Sequence, residues 1–275
     1  MFTRKIARTK FQAAMELGSA VYHMTARQAR GPRGHAGLGL VKSIGTMVAL
    51  MLLMAAVMIY GFGVRTNPVR GDFILFLMTG IMLFQMHIRT FRAVARMGGE
   101  GAGVMKHTQV STPVMILSGA FSALYTQILT IICLLFAYHA IFNPITIEYP
   151  VQAFGMLLLS WLTAFCVGLV FIVLTPWAPG VMAPLQMLYV RANFIASGKM
   201  FLGNTLSAAT LPLFDWNPLF HIIDQVRGYV FVNYLPRNSS PFYPLYVCLV
   251  LLVVGLMFEF VTRRSVSVSW SKKRF

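Results

Sequence analysis

Acidic side chains are scarce in this sequence: Asp and Glu together number 7 in 275 residues, and all charged types make up only 11%. A soluble domain carries about 25% charged and 45–50% apolar residues. Here the apolar share is 57% and the mean hydropathy +0.71. So little charge cannot solvate the exterior of a globule. An ordinary soluble enzyme and a disordered chain are excluded, and lipid becomes the solvent for much of the surface. Cysteine is scarce too. Cys133, Cys166 and Cys248 fit neither a zinc site nor a CxxC pair, and each sits in an apolar run. A disulfide scaffold is excluded, and the three read as small buried hydrophobes.

Several chemistries lack their residues. The acids Glu16, Asp72, Glu100, Glu148, Asp215, Asp224 and Glu259 all fall away from the centres of the apolar runs, where a proton-coupled transporter needs a titratable group. The six histidines form no HExxH or other ligand spacing, so no metal site is expected. Gly98 and Gly103 have the separation of a phosphate loop, but Val104 and Met105 stand where Lys and Ser/Thr are required. That stretch reads either as a flexible loop that seats a partner or as a plain turn.

What is present is apolar length. A spanning helix takes about 20 apolar residues at 1.5 Å each. Runs at 41–62, 73–91, 113–141, 151–174 and 242–262 meet this, and a sixth, 180–203, is interrupted by Arg191 and Lys199. Six spans put both termini on one side. Seventeen of the 23 basic residues fall in 1–42, 87–112 and 263–275, against Arg65, Arg70, Arg227 and Arg237 in the opposite loops. The excess of basic residues marks the cytoplasmic face, so the net charge of +16 needs no nucleic acid to explain it. About 40 residues precede the first run, which argues against a cleavable signal peptide.

The expected fold class is an all-α integral membrane protein with six transmembrane helices. Residues 1–40 form a basic cytoplasmic segment, 41–262 the transmembrane domain and 263–275 a basic cytoplasmic tail. In the first segment Gln12, Glu16, Ser19, His23, Arg27 and Arg30 recur at helical spacing opposite Phe11, Ala14, Met15, Val21 and Tyr22. That pattern suits an amphipathic helix in the membrane interface; a solvated helix packed on protein is the alternative. Before the last span lies 204–240, rich in Pro, Asn and aromatic residues. Asn217-Pro218 reads as a helix start and Gly228 as the end of a helix Leu219–Arg227, too short to span. A re-entrant hairpin and an interfacial helix lying flat fit that pattern equally well. Arg191 lies eleven residues into the sixth run, about 16 Å deep, where a lipid-facing charge costs about 2.5–3.5 kcal/mol and a polar interior is favoured. Lys199 falls near the far interface, within snorkelling reach.

This order of features resembles the type-2 ABC exporter permeases, and within them the capsular-polysaccharide and O-antigen export permeases. The similarity is carried by Phe76-Leu77-Met78-Thr79-Gly80-Ile81, by Arg191-Ala192-Asn193-Phe194-Ile195-Ala196-Ser197-Gly198, and most specifically by Trp216-Asn217-Pro218-Leu219-Phe220-His221-Ile222-Ile223-Asp224-Gln225-Val226-Arg227-Gly228. The resemblance implies an inner-membrane, multi-pass permease that works as a homodimer with a separate ABC ATPase subunit, which binds ATP and Mg²⁺; this chain is not itself an enzyme and holds no cofactor. The implied substrate is a lipid-linked polysaccharide, and a periplasmic or outer-membrane export adaptor is a further partner. Arg191, Tyr189, Asn193 and Phe194 are then expected along the translocation path. Trp216, Asn217, Pro218, Asp224 and Arg227 belong to the re-entrant segment. Arg92, Arg96, Glu100 and Lys106 are expected to contact the ATPase. The rivals are a type-2 ABC permease for a drug, teichoic-acid or lipid precursor, a membrane-embedded enzyme of glycan or lipid assembly, and a passive channel or structural subunit.

Overall fold

A computed structural model describes residues 9–30, 36–61, 63, 72–98 and 112–272, and among these the chain is helical with no strand. The helices are α1 (Lys10–Arg30), α2 (Ala36–Ala56, continued by a π turn Val57–Gly61), α3 (Phe73–Ala95), α4 (Thr112–Ile141), α5 (Pro150–Leu174), α6 (Pro179–Ala196), α7 (Pro218–Val230) and α8 (Phe242–Lys272). Proline opens α5, α6 and α7. Its missing N–H is one the first helical turn leaves unpaired anyway.

Five segments are long and apolar enough to cross a membrane: Gly37–Gly61, Phe73–Ala95, Thr112–Ile141, Pro150–Leu174 and Phe242–Val261. The expected sixth run, 180–203, is a shorter helix than the sequence suggests. α6 has 18 residues and stops at Ala196, because Gly198 takes a φ of 70° and turns the chain.

α3 is the centre of the bundle. Every residue from Leu75 to Ile88 is buried, enclosed by α2, α4, α5 and α7. Its start is pinned by Asp72, whose carboxylate accepts from Tyr138 Oη at 2.5 Å and Asn143 Nδ2 at 3.1 Å. α8 packs along α5, with Cys166 and Cys248 in contact at 3.0 Å between sulfurs. The second half of α1 lies on α4, where Gln28 Nε2 donates to Ser118 Oγ at 2.9 Å. In its first half Phe11 and Met15 stay uncovered.

α7 doubles back beside the first half of α3. Its N-terminus meets the end of α6, where Phe194 packs edge-on against Phe84, the midpoint of α3. Its C-terminus returns to the turn before α5, where the Tyr149 N–H donates to the Tyr229 carbonyl at 2.9 Å. Asn217 caps it as expected, its Oδ1 accepting from the Leu219 N–H at 3.0 Å. The expected stop at Gly228 is not made: that glycine keeps a right-handed φ and the helix runs on to Val230.

Candidate functional site

α6 is sparsely covered. Met182, Asn193 and Ala196 are its buried residues, while Pro184, Leu188, Arg191 and Ile195 form an exposed stripe at helical spacing. Arg191 is the one charge on that stripe. Among the described residues no carboxylate pairs with it.

The other residues expected along the path face the opposite way. Tyr189 Oη lies 2.6 Å from His87 Nε2, with its ring 4.6 Å from Phe91 and 5.8 Å from Phe171. His87 Nδ1 is 3.2 Å from the Ser160 carbonyl. A carbonyl only accepts, so Nδ1 carries the proton and Nε2 accepts from the tyrosine. Asn193 donates to the Tyr189 carbonyl at 3.0 Å and accepts from Asn217 Nδ2 at 3.2 Å, and that same amide reaches the Ala196 carbonyl at 3.0 Å. Asn193 and Asn217 therefore bolt the end of α6 to the start of α7.

Phe194 stands beside a cation that the sequence placed elsewhere. Lys199 is 1% exposed. Its Nζ donates to the Phe194 carbonyl and sits 3.6 Å from the Phe194 ring centre and 4.4 Å from that of Phe84. Rather than snorkelling, the ammonium is held halfway along α3 by two aromatic faces. The reversal at Gly198 carries it there.

Arg227 is 0% exposed. Nη1 donates to the carbonyls of Gly198 (2.9 Å) and Phe201 (2.5 Å), Nη2 to that of Lys199 (2.7 Å), and the guanidinium lies 4.1 Å over the Phe76 ring. Gly80 makes this possible: a Cβ there would stand 2.9 Å from both Nη2 and the Lys199 carbonyl oxygen. Asp224 accepts from the Gly203 N–H (2.9 Å), Tyr234 Oη (2.5 Å) and Ser239 Oγ (2.7 Å). Burial and the neighbouring carboxylate raise the Tyr234 phenol above its ordinary pKa. Together Arg227 and Asp224 hold the segments before and after α7 against its flank. Trp216 is exposed, its indole donating to the Leu213 carbonyl at 2.7 Å, and Pro218 is the first residue of α7.

At the opposite end of the bundle Arg92 and Arg96 are exposed. Glu100 and Lys106 lie outside the described residues. Nearby, Arg89 donates through Nη1 to Ser43 Oγ and through Nη2 to the Ser43 carbonyl at 3.3 Å, and Ser43 Oγ is 2.6 Å from Thr130 Oγ1. Sequence reasoning missed this contact, the His87–Tyr189 bond and the burial of Lys199. A polar residue inside an apolar run was the available signal for His87 and Ser43. Among the described residues no group of three His, Cys, Asp or Glu side chains is placed to hold a metal. Compared with known protein families and with curated proteins, the chain matches none.

Proposed function

We propose that the chain is the membrane-spanning permease subunit of an ABC exporter for a lipid-linked cell-surface polysaccharide of the capsule or O-antigen type. Two copies form the path across a bacterial inner membrane, and a separate ATPase subunit binds ATP and Mg²⁺. An export adaptor beyond that membrane is a further partner. α6 begins the sixth crossing and ends level with the middle of α3, and the segment 197–204 completes it beside α7, where Asn204 Nδ2 donates to the Leu235 carbonyl. Six crossings leave both termini in the cytoplasm, α1 in the interface, and Arg92, Arg96, Glu100 and Lys106 toward the ATPase. Arg191 and the exposed stripe of α6 face the path. Tyr189, Asn193 and Phe194 support that helix from behind.

The observation that carries this reading is the placement of α7. A 13-residue helix is too short to span, yet Leu219, Phe220, Ile222, Ile223 and Val226 are all buried, and it starts level with the middle of α3. Backbone that enters a membrane without crossing it must be covered by protein. Asn217, Asp224 and Arg227 supply that cover with hydrogen bonds. This is what a re-entrant segment before the last span requires.

The test is deletion of the gene in its host. Surface glycan should disappear while lipid-linked glycan accumulates inside, and the purified chain should hydrolyse no ATP without its partner. Unchanged surface glycan, or hydrolysis by the isolated chain, overturns the proposal. Reporter fusions at Glu148 and Arg237 should read extracytoplasmic, and a fusion after Met97 cytoplasmic.

A further inference from the structure

Arg89 sits 17 residues into α3, about 9 Å short of its end at the 1.5 Å rise of a helix. A cation at that depth calls for an anion. Arg92 follows Arg89 one turn on, and Arg96 follows Arg92 one turn further. The three recur at i, i+3 and i+7, so they share one face of the helix and repel one another. Among the described residues no carboxylate lies within ion-pair distance of any of them.

The Arg89 guanidinium is nevertheless held in a fixed orientation. It donates twice to Ser43, so the Ser43 hydroxyl passes its own proton to Thr130 Oγ1, and the Thr130 hydroxyl donates to the Thr126 carbonyl at 2.7 Å. This relay crosses from α3 through α2 to α4. It uses two of the five N–H donors of the guanidinium. Arg89 is half-buried and Arg92 exposed, so the remaining donors lie at the edge of the bundle beside an open cation. An oriented fork with a second guanidinium one turn away matches the oxygens of a phosphate group, which accepts such donors in pairs.

We infer that the Arg89–Arg92 face of α3, continued by Arg96, binds the phosphate group of a lipid, with Ser43 setting the angle of approach. The inference needs only that the chain sits in a membrane. It stands whether or not the chain is an exporter, and a failed export test leaves it untouched. Under the exporter reading, the phosphate is that of the substrate's lipid carrier, held chiefly by Arg89 on the membrane side of the Arg92 and Arg96 contact with the ATPase.

The chain is purified in a maltoside detergent, which has no phosphate, and titrated with a polyprenyl phosphate, with phosphatidylglycerol and with inorganic phosphate. Retained ligand is counted by native mass spectrometry. The unaltered chain should hold either lipid, and Arg89→Gln should weaken retention at least about tenfold, the size of a lost charge-assisted contact. Arg89→Lys keeps the charge without the fork and should fall between the two. Ser43→Ala leaves every charge in place and should weaken retention a few-fold, which covers the case in which Arg89→Gln does not fold. Preference for the polyprenyl phosphate assigns the site to the carrier lipid. Equal retention of both lipids assigns it to the bulk bilayer, and competition by inorganic phosphate at millimolar levels shows that the headgroup is the part recognised. Lipid retention unchanged in Arg89→Gln or, where that variant fails to fold, in Ser43→Ala overturns the inference.

Discussion

Tyr189 Oη and His87 Nε2 lie 2.6 Å apart, and their bond joins the sparsely covered α6 to the fully buried stretch of α3. The Ser160 carbonyl fixes the imidazole proton on Nδ1, so the tyrosine has to be the donor. Tyr189→Phe keeps the ring packing against Phe91 and Phe171 and leaves Nε2 unpaired in the interior. The expected cost is about 1–3 kcal/mol. It is read as a lower midpoint of thermal unfolding in detergent, and His87→Phe combined with Tyr189→Phe should recover part of the loss. An unchanged midpoint in the single variant would show that the bond contributes nothing.

Arg227 answers three carbonyls at once, those of Gly198 and Lys199 buried and that of Phe201 part-buried. Arg227→Ala strands all three and removes the lid over Phe76, which should cost on the order of 3–5 kcal/mol and keep the protein from accumulating. Gly80→Val should give the same result by pushing the Lys199 backbone off α3. The neighbouring Tyr234 adds a pH signature. Its folded-state pKa lies above the ordinary value near 10, so its contribution is intact below pH 10 and fades as pH rises through the folded value. A stability profile that already falls between pH 7 and 9 in Arg227-intact protein, and is flattened by Tyr234→Phe, would contradict this.

The α5–α8 contact can be read chemically. Cys166 and Cys248 sulfurs are 3.0 Å apart while Cys133 stands away from them. Treatment with a membrane-permeant oxidant should join the Cys166 and Cys248 peptides within one chain and leave Cys133 free. Peptide mapping checks it. Cross-links through Cys133 instead would mean that α5 and α8 are not neighbours.

Arg191→Ala should leave folding, accumulation and assembly intact, because the side chain is exposed and pairs with no described carboxylate. Under the proposed function surface glycan falls in that variant. A cysteine at the same position reacts with water-soluble thiol reagents in the open state. A variant that fails to accumulate, or a cysteine that never labels, makes Arg191 a packing residue.

Much of this fold was legible in the sequence because its signals are local. Run length located α3, α4 and α5 to within a few residues, and Asn217-Pro218 announced the start of α7. The end of α6 was not legible. A run that stays apolar through Phe201 hides a turn that depends on the φ of one glycine. Lys199 was assigned to an interface because its holders, Phe84 and Phe194, come from two helices, and one of them is more than a hundred residues away. The same distance separates Tyr189 from His87. Arg191 is exposed on α6, whereas the sequence favours a polar interior for it, and Tyr189, Asn193 and Phe194, expected along the same path, are turned inward by the helical period.

The burial of α3 from Leu75 to Ile88 bears on how the protein is made. α3 is the least hydropathic of the five candidate spans, and it carries Thr79, Gln85, His87 and Arg89. A segment that ends up touching only protein is under no pressure to be greasy, so it partitions weakly into lipid when it emerges alone from the insertion machinery. α3 therefore has to wait for company. Its stable entry into the bilayer depends on helices synthesised after it, α4 and α5 first, and a chain cut short before residue 174 should leave the second apolar run slipping back out of the membrane.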